Sequence, residues 1–182
     1  MDSKLQIISG AFRGRKLHLP AGARPTQNRA RGALFNMLDG VVDGDVVVWD
    51  AFAGSGAFGI EILSRYPAAR AIFTDTAPAS INTVRKNLDL VRAADRATVA
   101  QADAVGAISK YGAAANLVFV DPPYAAADVG AAFVRKLAAA AQVGTILVWE
   151  TDGDADLPVS AAWEIIRDRK YGRARFRILR LI

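Results

Sequence analysis

Apolar runs of strand length alternate with longer helical stretches through most of this 182-residue chain, and this alternation constrains the fold more than any other feature. The strand-like runs lie at residues 46–49, 71–74, 97–100, 116–120 and 145–149. Helical spacing separates them at about 57–66, 78–91, 104–110 and 128–141. Continuously apolar strands that alternate with helices are typical of a parallel sheet covered on both faces. We therefore expect an α/β fold built on a mainly parallel sheet.

The N-terminal part departs from this alternation. Residues 5–8 and 16–19 should form a hairpin around two intervening glycines, and residues 27–38 have the spacing of a helix. We predict that residues 1–40 form a basic extension of hairpin plus helix, packed on a main domain at residues 41–182.

The C-terminal part departs from it as well. Residues 162–168 and 173–182 both have strand patterns, and only a short turn at Tyr171-Gly172 separates them. Such a turn cannot contain a crossover helix, so the two strands should pair antiparallel. The complete prediction is a seven-stranded, mainly parallel sheet with an antiparallel C-terminal strand.

The composition excludes several kinds of enzyme chemistry. The chain has no cysteine and one histidine, His18, so thiolate nucleophiles, zinc fingers, iron–sulfur clusters and Ser-His-Asp triads lack their parts. No metal-ligand constellation is visible. The polar N-terminal decapeptide does not have the pattern of a secretory signal, and the weakly polar run at 137–149 is too short to cross a bilayer. We expect a cytoplasmic monomer without a membrane or metal partner.

Positive charge is concentrated at the two ends of the chain. Residues 1–38 contain seven Lys/Arg and one acid, and residues 167–182 contain the same numbers, whereas the middle is net negative. The formal net charge of +5 therefore conceals two basic segments. Such clustering favours a polyanionic partner such as nucleic acid. Solvated surface arginines are the alternative interpretation.

A glycine-rich loop follows the first strand of the alternation. Residues 50–59, DAFAGSGAFG, contain GxGxxG between a strand and a helix. Glycine permits the tight turn and a close approach by a ligand, and the helix start offers free N–H groups. Asp75 ends the next strand, 21 residues after Gly54, where a carboxylate can accept hydrogen bonds from ribose hydroxyls. The pattern predicts a nucleoside-containing cofactor.

The acids around this loop bear on the choice of cofactor. Asp50, directly before the loop, would be poorly placed beside the pyrophosphate of a nicotinamide dinucleotide. It suits a cationic cofactor better, and S-adenosylmethionine carries an ammonium and a sulfonium. A cap of the following helix is the alternative role for Asp50. Asp103, after the third strand, could bind an adenine amino group or cap the next helix, and both roles remain open.

The fourth strand ends in the tetrapeptide Asp121-Pro122-Pro123-Tyr124. The prolines fix the backbone and remove two donors, Asp121 adds an acceptor, and Tyr124 adds a flat ring. Acceptors and an aromatic face can orient the exocyclic amino group of a nucleobase toward a methyl donor. We predict that these four residues form the catalytic turn, and a proline-terminated strand with a surface tyrosine is the alternative.

The motifs together resemble those of class I S-adenosylmethionine-dependent methyltransferases with a Rossmann-like fold, and most specifically the RsmD family of bacterial 16S rRNA (guanine-N2)-methyltransferases. The resemblance covers nearly the whole chain. It is carried by residues 7–17, 24–26, 33–38 and 50–59, by Glu61, Ser64-Arg65, Asn87-Leu88 and DPPY, and by Glu150 and Tyr171-Gly172. The sequence departs from the family pattern at Asn28 and Gly32, where the family usually has Asp and Glu, and Asp75 replaces a commoner Glu.

The resemblance implies an enzyme that methylates N2 of a guanine in 16S rRNA, at the family position called 966. We expect the substrate to be a preformed RNA or ribonucleoprotein surface, such as that of a small-subunit particle. The residues expected to bind S-adenosylmethionine are Asp50, Phe52, Ala53, Gly54, Ser55, Gly56, Asp75, Thr76, Asp103 and Ala104. The residues expected to contact RNA phosphate are Arg13, Arg15, Lys16, Arg24, Arg31, Arg173, Arg175 and Arg177.

Other functions are compatible with parts of the pattern. An adenine-N6 DNA or RNA methyltransferase is the nearest alternative, because a DPP-aromatic turn accommodates either amino group. A non-catalytic RNA-binding assembly factor would have the same basic ends. A protein-glutamine methyltransferase is less favoured, since that group generally has Asn before the prolines, and the acid at Asp50 argues against an NAD oxidoreductase.

Overall fold

The computed structural model describes residues 5–22, 28–42, 45–123, 126–153 and 159–182. Within these residues, one sheet contains β1 (Val47–Asp50), β2 (Arg70–Asp75), β3 (Ala97–Gln101), β4 (Leu117–Val120), β5 (Ile146–Asp152), β6 (Trp163–Tyr171) and β7 (Ala174–Leu181). The α-helices are α1 (Asn28–Leu38), α2 (Ala57–Arg65), α3 (Pro78–Val91), α4 (Ile108–Tyr111) and α5 (Ala127–Leu137), with a 3₁₀ turn at Ala94–Arg96. None of these helices has the length and low polarity needed to span a bilayer.

The strand order is β3-β2-β1-β4-β5-β7-β6. Strands β1 to β5 pair in parallel, and β7 runs antiparallel to both β5 and β6. The order changes direction between β1 and β4, and this switch point opens a crevice at the carboxyl ends of the strands. The predicted Rossmann-like α/β fold, mainly parallel with an antiparallel C-terminal strand, is confirmed.

Two apolar layers enclose the sheet because strand side chains point alternately to its two faces. Phe73 and Phe119 lie in the layer formed with α1, α2 and α3. Trp49 and Val118 lie in the opposite layer, against α4 and α5. All four side chains are buried, as the continuously apolar strand sequences predict for a sheet covered on both faces.

The N-terminal segment pairs with itself and with α2. An isolated antiparallel bridge joins Gln6 to Lys16, so the predicted pairing is present although neither segment forms a full strand. Glu61 on α2 is completely buried and accepts hydrogen bonds from the backbone N–H groups of Ile8 (2.8 Å) and Ser9 (2.9 Å). This carboxylate therefore fastens the segment to α2.

Several predicted element ends differ from the structure. The helix predicted over 128–141 ends at Leu137, because Ala139 and Ala140 make tighter bonds to the carbonyl groups three residues before them. The helix predicted over 104–110 is confined to α4, after a turn at 104–107. Strand β5 is longer than predicted because its pairing with β7 continues to Asp152.

Candidate active site

A groove of about 1160 Å³ lies at the carboxyl ends of β1, β2, β4 and β5. It is lined by the glycine loop, the DPP turn, parts of α1 and the turn between β6 and β7. The sheet topology therefore brings together the glycine loop and the DPP turn, which are about 70 residues apart in the chain. Among the described residues, no cluster of histidine and acidic side chains is arranged to hold a metal ion.

The glycine loop is fixed by its neighbours and open at its tip. The backbone N–H of Ala53 donates to the Thr74 carbonyl group at 2.9 Å. Gly54 and Gly56 have φ values of +53° and +76°, which residues other than glycine rarely adopt. A Cβ on Gly54 would meet no heavy atom within 4 Å, so the loop leaves open space above Gly54. Gly56 does not line the groove, and its left-handed conformation precedes the start of α2.

Asp50 is buried at the base of the groove with half of its carboxylate unpaired. Oδ2 accepts a hydrogen bond from the Gly59 backbone N–H at 3.1 Å, whereas Oδ1 has no partner among the described residues. The pKa of Asp50 is raised to about 8, chiefly by burial. The Gly59 hydrogen bond lowers the pKa, and the charges of Asp121 and Asp75 raise it. A positively charged group in the groove would supply the missing partner and favour the ionised form.

Two further acids organise the backbone of the groove. Asp75 accepts hydrogen bonds from the N–H groups of Gly54 and Ala77, both at 2.9 Å. Asp103 accepts one from the Gly106 N–H at 2.7 Å, within the turn that precedes α4. The N-cap of α4 is Ala107, so the helix-capping role left open by the sequence is not the one that Asp103 has. Both carboxylates nevertheless line the groove, together with the predicted residues Phe52, Ser55, Thr76 and Ala104.

The DPP turn forms the opposite wall. Asp121, Pro122 and Pro123 all line the groove, and Tyr124 lies outside the described residues. Gly130 on α5 supports the turn from behind, because a Cβ at that position would lie 2.8 Å from Pro122 Cγ. A side chain there would push against the turn that carries Asp121.

Glu150 lies beside Asp121, and no role followed from the sequence for this residue. Val120 pairs with Trp149 across the parallel strands β4 and β5, so Asp121 and Glu150 follow at equivalent positions. Burial raises the pKa of Asp121 to about 7. Burial and the neighbouring Asp121 charge raise the pKa of Glu150 to about 9. The signal available in the sequence was an acid directly after the apolar run TILVW.

The turn between β6 and β7 also reaches the groove. Tyr171, Gly172, Arg173 and Ala174 all line it. The sequence predicted a hairpin turn here and an RNA contact at Arg173, but no place in the cofactor groove. The Tyr171 ring is partly exposed, with its centroid 6.1 Å from that of Phe176. Tyr171 therefore places an aromatic side chain at the wall of the groove.

The predicted RNA-contact residues fall into two groups. Arg13, Arg15 and Lys16 are exposed on the N-terminal segment. Arg173 has a side chain that is 81% exposed and forms an ion pair with Asp152 at 3.6 Å. Arg13 and Arg29 line a second, smaller cavity of about 340 Å³. These side chains have the exposure that a contact with a large partner requires.

Other arginines are buried or are held by shorter contacts. Arg31 is buried beneath the N-terminal segment, and its Nη2 lies 3.3 Å from Oε2 of Glu61. The Glu61 carboxylate supplies a counter-charge for this buried guanidinium. Arg175 makes two hydrogen bonds to Asp168, and Arg177 is buried over the Trp149 ring. Arg31 and Arg177 are buried, and Arg175 is paired with Asp168. The structure therefore does not support the prediction that these three arginines contact phosphate. Arg24 lies outside the described residues.

The sequence of this chain is similar to those of known proteins. The family model described as "Conserved hypothetical protein 95" matches residues 5–180. Ribosomal RNA small subunit methyltransferase D of Escherichia coli (strain K12) is 42% identical over 125 residues, covering 68% of this chain. The match spans 62% of the length of that relative. The protein of the same name from Haemophilus influenzae is 27% identical, over 96% of this chain and 93% of its own length.

Solved structures show the same fold. The Escherichia coli protein yhhF is 34% identical, with a TM-score of 0.81 and 97% of each chain covered. The rRNA methyltransferase aviRa from Streptomyces viridochromogenes is 19% identical, with a TM-score of 0.69 over 90% of this chain and 88% of its own. At that identity, the second similarity concerns the fold alone.

Proposed function

The chain belongs to the Conserved hypothetical protein 95 family, and from this premise we propose that it is an S-adenosylmethionine-dependent methyltransferase acting on small-subunit ribosomal RNA. Relatives named Ribosomal RNA small subunit methyltransferase D support this activity and agree with the resemblance noted in the sequence. The proposed target is the exocyclic N2 of a guanine, and the product is N2-methylguanosine at the family position 966. The observation that carries the proposal is a single groove shared by the glycine loop and the DPP turn.

The residues of the groove fit S-adenosylmethionine. When bound, this cofactor supplies an electrophilic methyl group on a sulfonium. The unpaired Oδ1 of Asp50 offers an acceptor to its cationic amino-acid part. The open space above Gly54 admits a ligand against the backbone, and Asp75 offers its carboxylate to ribose hydroxyls. Asp103 and the adjacent Ala104 then lie on the part of the wall proposed for adenine.

The DPP turn would orient the amine that receives the methyl group. Asp121 and the carbonyl groups of the rigid turn accept hydrogen bonds from its N–H groups, which directs the nitrogen lone pair into the groove. The nitrogen becomes acidic once it is alkylated, so a neighbouring acceptor is sufficient to take its proton. Asp121, with a pKa raised to about 7 by burial, can hold that proton near neutral pH. Positioning by the chain then provides most of the catalysis.

The RNA would approach over the exposed basic side chains. We assign phosphate contacts to Arg13, Arg15 and Lys16 on the N-terminal segment and to Arg173 beside the groove. The division into a basic extension (1–40) and a main domain (41–182) is part of the same proposal. So is action by a monomer on a small-subunit particle.

Transfer of labelled methyl groups tests the proposal. The protein is incubated with methyl-labelled S-adenosylmethionine and undermethylated small-subunit RNA or particles, and the RNA is digested to nucleosides. Label in N2-methylguanosine is the expected result. Label in N6-methyladenosine would favour the adenine-N6 alternative, and RNA binding without any label would favour a non-catalytic assembly factor.

A further inference from the structure

Glu150 is a buried acid without a partner inside the groove. Its exposure is 5%, it lines the groove, and no described residue forms a hydrogen bond or ion pair with its carboxyl group. The carboxyl oxygens are not among the fully enclosed unpaired atoms of the described residues, so they remain open to the groove. Glu150 therefore offers oxygens at the groove wall that a ligand can reach.

The register of the sheet puts Glu150 next to Asp121. Neighbouring parallel strands lie about 4.8 Å apart, and residues at equivalent positions point to the same face. Strands β4 and β5 are paired through Val120 and Trp149, and the two acids come next on each strand. The charge of Asp121 raises the pKa of Glu150, which also requires the two groups to be close. The groove thus offers two hydrogen-bond acceptors side by side.

Guanine matches this pair of acceptors. Its exocyclic N2 amine adjoins the ring N1–H, so it presents two neighbouring donors, whereas adenine and cytosine have an acceptor nitrogen beside the amine. A carboxylate and the carbonyl oxygen of a neutral carboxyl group both accept a hydrogen bond from N1–H. An adenine ring nitrogen would instead require a protonated Glu150 as donor. The positive charge of the cofactor proposed for the groove favours the ionised acid, which can only accept a hydrogen bond.

From this arrangement we propose that Glu150 is a specificity-determining residue, which accepts a hydrogen bond from the ring N–H of guanine while Asp121 binds the adjacent amine. The inference rests on the proposed methyltransferase function and adds to it the residue that selects the base. Glu150 acts on binding and orientation of the base, and no proton transfer during the reaction is assigned to it.

Two substitutions at one position provide the first test. Glu150→Gln keeps an acceptor oxygen, and Glu150→Leu removes both oxygens at similar volume. With undermethylated small-subunit particles, kcat/KM should fall about 10- to 100-fold for the leucine variant and clearly less for the glutamine variant. Binding of S-adenosylhomocysteine should change little in either. The Tm of the leucine variant should not fall, because a buried, unpaired acid has been replaced by an apolar side chain.

Thr151→Val is the matched control. Thr151 is the next residue of β5, is equally buried, and has an unpaired hydroxyl group, but it points to the other face and does not line the groove. It should keep wild-type kcat/KM. Wild-type kcat/KM in Glu150→Leu would overturn the inference. So would a leucine variant that loses stability and cofactor binding together, because that result would make Glu150 structural.

A base analogue separates base selection from general damage. Once the methylated nucleotide is mapped, it is replaced in ligated RNA by 2-aminopurine, which keeps the amine and lacks N1–H. Wild type should use this RNA about 10- to 100-fold less efficiently than the guanine RNA, and Glu150→Leu should show no preference. An equal preference in both proteins would overturn the inference. Failure of wild type to methylate any guanine would refute the proposed function itself, and this inference with it.

Discussion

The backbone N–H of Gly59 donates to Asp50 Oδ2 at 3.1 Å and leaves Oδ1 of the same carboxylate without a partner. One interaction with α2 thus orients the acid, while the second oxygen stays available to a ligand. Asp50 is 1% exposed, so an ionised form without a ligand is costly. This division of the two oxygens makes Asp50 the most informative position for cofactor binding.

Asp50→Asn should weaken binding of S-adenosylhomocysteine, because the amide keeps the size of the side chain but loses the negative charge. A charge-assisted hydrogen bond contributes about 1.5–3 kcal/mol, so the dissociation constant should rise about 10- to 100-fold. Isothermal titration calorimetry measures this change. The exposed Asp95 lies outside the groove, and Asp95→Asn should bind as wild type does. Equal affinity of all three proteins would remove Asp50 from the cofactor site.

The ligand-free protein should lose stability as the pH rises from about 5 to 9. The pKa of Asp50 is raised to about 8 and that of Glu150 to about 9, so the folded state holds protons that the unfolded state has released. The free energy of unfolding should fall by at least about 1 kcal/mol between pH 6 and pH 9. Urea unfolding at both pH values measures it.

Glu150→Gln provides the control for this pH dependence. The variant removes one of the acids whose pKa is raised into this range, so its stability should decline less steeply than that of wild type. An unchanged slope, or a wild-type stability that increases over this range, would show that these acids do not hold their protons in the folded state.

Gly130→Ala should lower activity with little loss of stability. The new Cβ would lie 2.8 Å from Pro122 Cγ and 3.3 Å from Trp149 Nε1, so the DPP turn must shift. Alanine is favoured over glycine in helices by about 1 kcal/mol, which offsets part of the strain. Because small displacements of reacting groups are costly, kcat should fall about 10-fold or more in the RNA methylation assay.

Gly32→Ala is the matched helical control. Gly32 lies inside α1, and its Cβ would meet no heavy atom within 4 Å. This variant should be more stable by about 0.5–1 kcal/mol and fully active. If both alanine variants keep wild-type kcat, the position of the DPP turn does not limit the reaction.

Glu61→Ala should strongly destabilise the fold. It would remove the carboxylate that lies 3.3 Å from the buried Arg31 and that accepts hydrogen bonds from the N–H groups of Ile8 and Ser9. Breaking a buried pair in this way costs about 3–5 kcal/mol. Glu164→Ala removes a partly exposed pair with Arg180 and should cost less than about 1 kcal/mol in the same denaturation experiment. Similar losses in the two variants would contradict the role of Glu61 as a buried anchor.

Arg173→Ala should weaken RNA binding more than Arg175→Ala does. The Arg173 side chain is exposed at the groove and pairs with Asp152 at 3.6 Å, whereas Arg175 is held by two shorter hydrogen bonds to Asp168, at 2.8 and 2.7 Å. Loss of one phosphate contact should reduce the salt slope of log K by about 1. Filter binding over a range of salt concentrations measures that slope. A larger effect at Arg175 would mean that Asp168 releases it to RNA.

The sequence predicted elements well where local chemistry marks them. The helix expected over 78–91 is α3 (Pro78–Val91), since Pro78 is suited to a first helical turn and apolar residues recur at helical spacing. The end of α5 was missed because alanines before and after Leu137 give no signal for a helix end. The glycine loop and the DPP turn each follow a strand of the expected parallel sheet, so both were expected at the carboxyl ends of the strands.

Contacts between distant residues could not be predicted in the same way. Arg31 was assigned to RNA because a basic residue in a basic segment resembles a surface residue, and its partner Glu61 is 30 positions away. Glu150 gained a role only when the register of β4 and β5 placed it beside Asp121. Both cases depend on pairing across the fold, which hydrophobic periodicity does not encode.

Methylation of ribosomal RNA in cells tests the central claim most directly. Small-subunit RNA from cells with and without this protein is digested, and the modified nucleosides are identified and mapped by mass spectrometry. We predict one N2-methylguanosine that is absent without the protein and is restored by wild type but not by Asp121→Ala. An identical set of modified nucleosides in both RNAs would contradict the account.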